Sequence, residues 1–374
     1  MALEFLWYVP NTVESGHRGD DTAEGWGTLE FSAGIARAAE EHGFDGALIG
    51  AGWGRTDTYT LGVALAAATR RFKPLIAIRP GYWQPATFAC AAATLDQLSG
   101  GRVLVNVITG KDNHWEYGDF EAEDAARYER TREFMRLLRR LWTEEHVDFE
   151  GRFYRVKDST CLPRPVQRPH PPLYFGGASP AAERVAAELA DVQLLWGESL
   201  ALCAERIERL RRLSAEAERE RPLAFGLRVT VVVRETSEEA WRDAEAKLAG
   251  WEGQLDRRVE ANYTGRGSVG QSRLRELMAQ GEVLDRCLWT RPATVGTGAA
   301  TTWLVGSYDE VAAALREYVA LGMRHFILSD TPYREEAIRV GDHLLPRMAA
   351  SPGRFLPEKR TTASEASRSS WKGT

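Results

Sequence analysis

What the sequence lacks already excludes several chemistries. Its four cysteines, Cys90, Cys161, Cys203 and Cys287, are scattered and form no CxxC pair, which fits a reducing cytosol without a structural metal. The seven histidines are dispersed and none ends a predicted strand, so the ligand clusters of a metal hydrolase are missing. Positive charge is not in excess: 48 basic against 53 acidic residues leave a net charge of −5, and no nucleic-acid-binding face is expected. No stretch approaches the roughly 20 apolar residues of a membrane span. The opening MALEFLWYVP has neither the basic region nor the cleavage site of a signal peptide and reads as a first strand. These absences predict a soluble, cytoplasmic protein with no membrane partner.

What is present is an alternation. Hydrophobic residues make up 44% of the 374, enough for a sizeable core. Apolar runs at Leu3–Pro10, Asp45–Gly50, Lys73–Pro80, Arg102–Thr109, Leu173–Phe175, Val192–Trp196, Ala224–Arg234 and Phe326–Ser329 alternate with helical segments. Eight strands of this kind, apolar at most positions, predict a (β/α)8 TIM barrel with insertions, one domain over 1–350. A doubly wound open sheet is the alternative, but no GxGxxG follows the first strand. A hairpin excursion is expected at Val147–Tyr154. From about Gly253 to Thr301 the pattern breaks into Gly, Thr, Arg and Ser, and a segment this long is read as a mobile active-site lid or a plain flexible insertion. The tail 351–374 is expected to be disordered.

In such a barrel the chemistry sits at the C-terminal strand ends. Those ends offer Tyr8, Asn11, Trp53, Arg55, Arg79, Tyr82, Trp83, Asn106, Thr109, Trp196, Glu198, Arg228, Thr230, Asp330 and Tyr333. The set is aromatic and cationic. Its two carboxylates, Glu198 and Asp330, are a poor match for a glycosidase pair. Phe175-Gly176-Gly177-Ala178-Ser179 joins a strand to a helix N-terminus, either as an anion-binding turn or as an ordinary strand–helix turn with a Ser cap. Arg79 and Arg228 form either an anion clamp or ion pairs with Glu198 and Asp330. Trp196 is either a core aromatic or the wall beside a flat ring.

Longer phrases carry a resemblance. LEFLWYVP, AATLDQLSGGRVLVNVITG, RYERTREFMRLLRRLW, VDFEGRFY, RPHPPLYFGGAS, FGLRVTVVVRETSEEAW, SVGQSR, LVGSYDEV and EEAIRVGDHLLP resemble the bacterial luciferase-like flavin monooxygenases, and most closely the reduced-FMN-dependent alkanesulfonate monooxygenases. The resemblance reaches to about residue 348. It implies reduced FMN supplied by a separate NAD(P)H-dependent flavin reductase, O2 as co-substrate, and cleavage of a sulfonate to aldehyde and sulfite. It also implies a homodimer or homotetramer, for which the Ala-rich helix Ala86–Leu98, apolar on more than one face, is a candidate surface; deep packing within one barrel is the alternative. Carried onto this chain, Asn106 and Thr109 lie by the flavin, and Tyr128, Gly177, Ala178 and Ser179 hold its phosphate. Trp196 and Arg228 fall in the active site.

The chain departs from that pattern at four places. Arg55 stands for a Cys after strand two, Thr230 for a His on strand seven, and Thr331 for a Tyr after strand eight. A lid Arg falls near Gly296, with Arg291 close by. The expected catalytic set is therefore Arg228, Trp196, Arg55 and Thr230, with Trp53, Arg79, Arg291 and Tyr333 around a small, anionic organosulfur substrate. These changes leave three other readings: a monooxygenase of a nitrogen heterocycle, sulfone or natural-product intermediate, a deazaflavin-dependent oxidoreductase, or a non-enzymatic flavin-binding scaffold.

Overall fold

The structure, a computed structural model, describes residues 2–12, 23–110, 115–120, 124–254, 269–295 and 301–349. Eight parallel strands close into a barrel: β1 (Glu4–Val9), β2 (Gly46–Ile49), β3 (Lys73–Ile78), β4 (Leu104–Val107), β7 (Leu173–Gly176), β8 (Val192–Trp196), β9 (Ala224–Arg234) and β13 (Met323–Ser329). The ring runs β1–β2–β3–β4–β7–β8–β9–β13 and returns to β1, where Phe5 pairs in register with Phe326. Helices α1 (Leu29–Glu41), α2 (Thr58–Ala68), α3 (Pro85–Ser99), α4 (Asp124–Thr143), α5 (Pro180–Leu189) and α6 (Leu200–Glu216) cover the outside. The strands are apolar on both faces because one face fills the barrel and the other meets these helices. Phe5, Trp7, Leu75, Val105, Phe175, Leu227 and Phe326 are all fully buried, and the Phe5 and Phe326 rings stack at 5.4 Å.

Local chemistry sets the helix ends. Thr28, Asp57 and Ser179 each accept a backbone N–H at the start of α1, α2 and α5. Helix α3 stops at Gly100, whose φ of 70° suits a left-handed cap. Its Phe88, Ala89, Ala92 and Ala93 are buried within this chain, so packing in one barrel already accounts for much of its apolar character. The hairpin is there as β5 (Val147–Glu150) and β6 (Arg155–Ser159).

The region after β9 differs from the expectation. Helix α7 (Ser237–Gln254) is followed, beyond residues 255–268, by α8 (Val269–Met278), β10 (Val283–Leu284), β11 (Leu288–Trp289), a 3-10 turn at Arg291–Thr294, and β12 (Trp303–Ser307). The physical reason is the length of β9. Its first half pairs with β8 and β13 inside the barrel, while Thr230–Arg234 runs on and takes β12 alongside in parallel. Strands β11 and β10 then add on antiparallel. Trp241, Trp251, Trp289 and Trp303 pack into a small core of this extension. The first half of the GRGSVGQS phrase and the centre of the TVGTGAATT phrase lie outside the described residues, as does the tail 351–374. The chain continues through α9 (Tyr308–Ala320) to β13 and then α10 (Tyr333–Arg339). No helix among the described residues is long and apolar enough to cross a membrane.

Candidate active site

Four barrel strands bring the first group together. Arg228, on β9, sits in register with Trp196 of β8 and Ile327 of β13. Its guanidinium lies 5.5 Å from the centre of the Tyr8 ring, at the end of β1. Tyr8 is backed by Tyr333 at 5.7 Å. Tyr333 itself is only 1% exposed, and its carbonyl accepts the Trp7 indole N–H at 2.9 Å. It therefore supports Tyr8 from behind. Thr230 follows Arg228 by two residues and so shares its face of the strand. Its hydroxyl meets that of Ser329 at 3.3 Å.

A second group forms at the ends of β2 to β4. Arg79 is buried and donates to the Tyr82 hydroxyl at 3.2 Å. Tyr82 stacks on Tyr117 at 3.9 Å, and Trp53 meets Tyr117 edge-on at 5.1 Å. Burial pushes the Tyr82 phenol up, partly offset by the Arg79 charge. Gly110, at φ +71°, lets Arg79 pass: a Cβ there would come within 3.0 Å of its side chain. Arg55, expected in the catalytic set, is instead exposed and folded against Gly52. Trp53 is 54% exposed, at the rim.

The expected flavin cradle lies between β4, α4 and α5. Asn106 is buried on β4, and its Oδ1 has no hydrogen-bond partner among the described residues. The Thr109 hydroxyl meets that of Thr131 at 3.2 Å. Tyr128 precedes Thr131 by three residues, on the same face of α4. At the turn, Gly177 has a packing reason, because a Cβ would come within 2.5 Å of the Ala182 Cβ. Its carbonyl accepts from Gln193 at 3.0 Å and Arg206 at 2.7 Å. The Ser179 hydroxyl caps α5 by accepting from the Ala182 N–H at 3.2 Å. Both readings of the turn survive: Pro180 has no N–H and the cap takes that of Ala182, which leaves the Ala181 N–H and the backbone of the turn itself for an anion. A flat ring carrying N–H donors and a phosphate fits these residues: Asn106 offers a buried acceptor in need of a donor, and the turn offers donors.

Neither ion pair foreseen for the two mouth arginines forms. Glu198 is taken by Arg206 and, at 2.8 Å, by Arg273 of α8, while Asp330 pairs with Lys247 of α7 at 2.7 Å. Arg206 also reaches Glu183, so this buried network anchors the turn from beneath. Arg273 does more than neutralise. With Trp196 packed on Leu274, Leu277 and Ala293, and Asp285 accepting the Leu200 N–H at 2.8 Å, it pins the extension over the end of β8. Arg291 corrects another expectation. Its partner is Glu252 at 3.2 Å, and its side chain is 45% exposed, outside the group around Tyr8 and Arg228.

Beside Thr230 a cleft opens, lined by Thr230, Trp251, Thr301, Trp303, Asp330 and Thr331. Burial lifts the Asp330 carboxyl to about 6, against the lowering effect of Lys247. Sequence reasoning found Thr230, Asp330 and Thr331 but missed Lys247, Trp251 and Trp303. These stand on α7 and β12, just before and just after the stretch read as loop, and the overhang of β9 brings β12 to the mouth. Among the described residues no group of three His, Cys, Asp or Glu could hold a metal ion.

The profile of the luciferase-like monooxygenase family matches residues 3–325, and the chain belongs to that family. Its fold is shared with an EDTA monooxygenase from Chelativorans sp. BNC1 (TM-score 0.77, 15% identity, covering 94% of each chain). It is shared also with a riboflavin lyase solved with modified FMN and riboflavin (TM-score 0.75, 19% identity, 92% of this chain and 91% of that one). An F420-dependent secondary alcohol dehydrogenase, solved with an F420–acetone adduct, is similar at TM-score 0.68 and 18% identity, over 93% of this chain and 99% of that one.

Proposed function

We propose that the protein is a two-component monooxygenase. It takes reduced FMN from a separate NAD(P)H-dependent reductase and oxidises a small organic anion, with a sulfonate, cleaved to aldehyde and sulfite, as the first candidate. The observation that carries the cofactor half is the buried Oδ1 of Asn106, without a partner among the described residues, on the strand that pairs with the one leading into the α5 turn. Bound there, reduced FMN supplies the two electrons that let O2 place one oxygen atom in the substrate. Asn106 accepts an N–H of the ring. The Ala181 N–H and the backbone of the turn before it, with Ser179 and Tyr128, would hold the phosphate. Arg228, steadied by the Tyr8 ring, and Arg79 attract the anionic group. Trp196, covered by α8, keeps water from the reacting region. The chain works as a homodimer or homotetramer, which light scattering at micromolar concentration checks.

Sulfite release from a panel of alkane- and arenesulfonates, with a flavin reductase and NADH supplied, tests the substrate class. Sulfite from at least one, lowered at least a hundredfold in kcat/KM by Arg228→Ala, is the expected result. No sulfite from any of them overturns the sulfonate assignment. A second reading follows from Thr230 and Thr331, which put hydroxyls and no cation in the cleft lining: the substrate is then an uncharged nitrogen heterocycle or sulfone, found by product mass after turnover in labelled O2. Tighter binding of reduced F420 than of reduced FMN, with no oxygen incorporated, would instead favour a deazaflavin oxidoreductase.

A further inference from the structure

Two buried carboxylates stand where β9, β13, α7 and α10 meet, and they are neutralised unequally. Glu336 accepts from both terminal nitrogens of Arg234 at 3.1 and 3.0 Å and from Arg339 at 3.2 Å, with Lys247 at 3.8 Å. Arg234 is shared with Asp243 at 2.6 Å. Asp330 has Lys247 at 2.7 Å and the Thr331 backbone N–H at 2.8 Å. Lys247 and Asp243 of α7, Arg234 of β9, and Glu336 and Arg339 of α10 are thus the charged groups around Asp330. Two buried like charges that share one lysine favour a proton on the less compensated partner. That partner is Asp330, 3% exposed, and among the described residues it is the only ionisable one lining the cleft.

The rest of the lining suits proton movement. The Thr301 hydroxyl is 4% exposed and has no partner among the described residues. It lies toward β8, since a Cβ on Gly197 would be 3.4 Å from it. Thr230 lies on the strand face of Arg228. Hydroxyl groups therefore border the cleft from Asp330, just after β13, toward the ends of β8 and β9.

We propose that Asp330 is the proton-exchanging residue of the barrel mouth, with Lys247 as the positioning residue that fixes its carboxyl and sets how tightly the proton is held. The protonated carboxyl passes H+ to a hydroxyl or water in the cleft, becomes a carboxylate facing Lys247, and is reprotonated from solvent. The need for this proton rests on the monooxygenase reading: when one oxygen atom of O2 enters the substrate, the other leaves as water and must be protonated. The value near 6 produced by burial keeps both forms accessible close to neutral pH.

The test has two arms on the full chain. In the first, the flavin-free protein with carbon-13-labelled aspartate is titrated by NMR from roughly pH 4 to 8. One carboxyl resonance is expected to move near pH 6, to vanish in Asp330→Asn, to shift up by about one unit in Lys247→Met, and to stay in place in Lys247→Arg. No aspartate titrating between about pH 5 and 7 overturns the proposal. In the second, reoxidation by O2 of reduced FMN held by an excess of the protein is followed against pH. A limb near pH 6 that is flattened in Asp330→Asn and restored in Asp330→Glu supports the role; a limb unchanged in Asp330→Asn overturns it. If reduced FMN reoxidises as it does free in solution, the flavin reading fails, while the carbon titration still decides whether Asp330 exchanges a proton.

Discussion

The floor and the mouth of the barrel each hold a carboxyl in a low-dielectric setting, and they treat it in opposite ways. At the floor, burial pushes Glu4 up, but its hydrogen bond to His325 and the Lys73 charge more than offset this and leave it at about 2. Tyr174 donates to the same carboxylate. At the mouth, Lys247 only partly offsets burial, and Asp330 stands at about 6. The floor therefore spends its polar groups on one another. The mouth keeps an incompletely compensated carboxyl, an unpaired Asn106 oxygen and an unpaired Thr301 hydroxyl. The difference matches the general division of such barrels, with stability at the bottom and chemistry at the top.

Substitutions can break that contrast, and the largest effect is expected low in the barrel. Phe326→Ala opens a cavity against Phe5 and should cost about 3–5 kcal/mol in denaturant unfolding. Glu4→Gln should cost about 1–3 kcal/mol at neutral pH. A lowered carboxylate stabilises above its ordinary value and loses that contribution as pH falls, so the deficit should shrink as unfolding is measured from about pH 5 toward pH 2. Asn106→Ala is expected to behave in the reverse manner. It should leave the melting temperature unchanged or slightly higher, because an unpaired buried acceptor is removed, while reduced-FMN affinity falls about tenfold. The smallest effect belongs to Asp330→Asn. A raised carboxyl contributes stability below its ordinary value and loses it as pH rises through about 6. The stability of the native chain relative to this variant should therefore decline between about pH 4 and 6 in parallel melts, and level off above that. Equal pH slopes would show that the mouth treats its carboxyl no differently from the floor.

The barrel was legible because its signals are local. Strand periods, the Gly100 cap and the Ser179 cap are written in short stretches, and the eight barrel strands fall where the apolar runs put them. Arg228, Asn106 and Thr230 were found by the same logic, since strand ends predict mouth residues. What escaped depends on pairing over long separations. Strands β10 and β11 have two residues each, too few for any pattern to show, and β12 owes its place to the extra length of β9. Lys247 was invisible because its meaning comes from Asp330, 83 residues away. For Arg291 and Arg55, sequence position near the mouth does not say which way a loop side chain turns; one pairs with Glu252 and the other lies against Gly52.

The account stands most directly on whether the mouth binds reduced FMN through Asn106. Anaerobic titration of the native protein with reduced FMN, followed by flavin absorbance or fluorescence, should saturate. Asn106→Ala should weaken that binding about tenfold and Glu4→Gln should leave it unchanged. No binding by the native protein, or binding indifferent to Asn106→Ala, would contradict it.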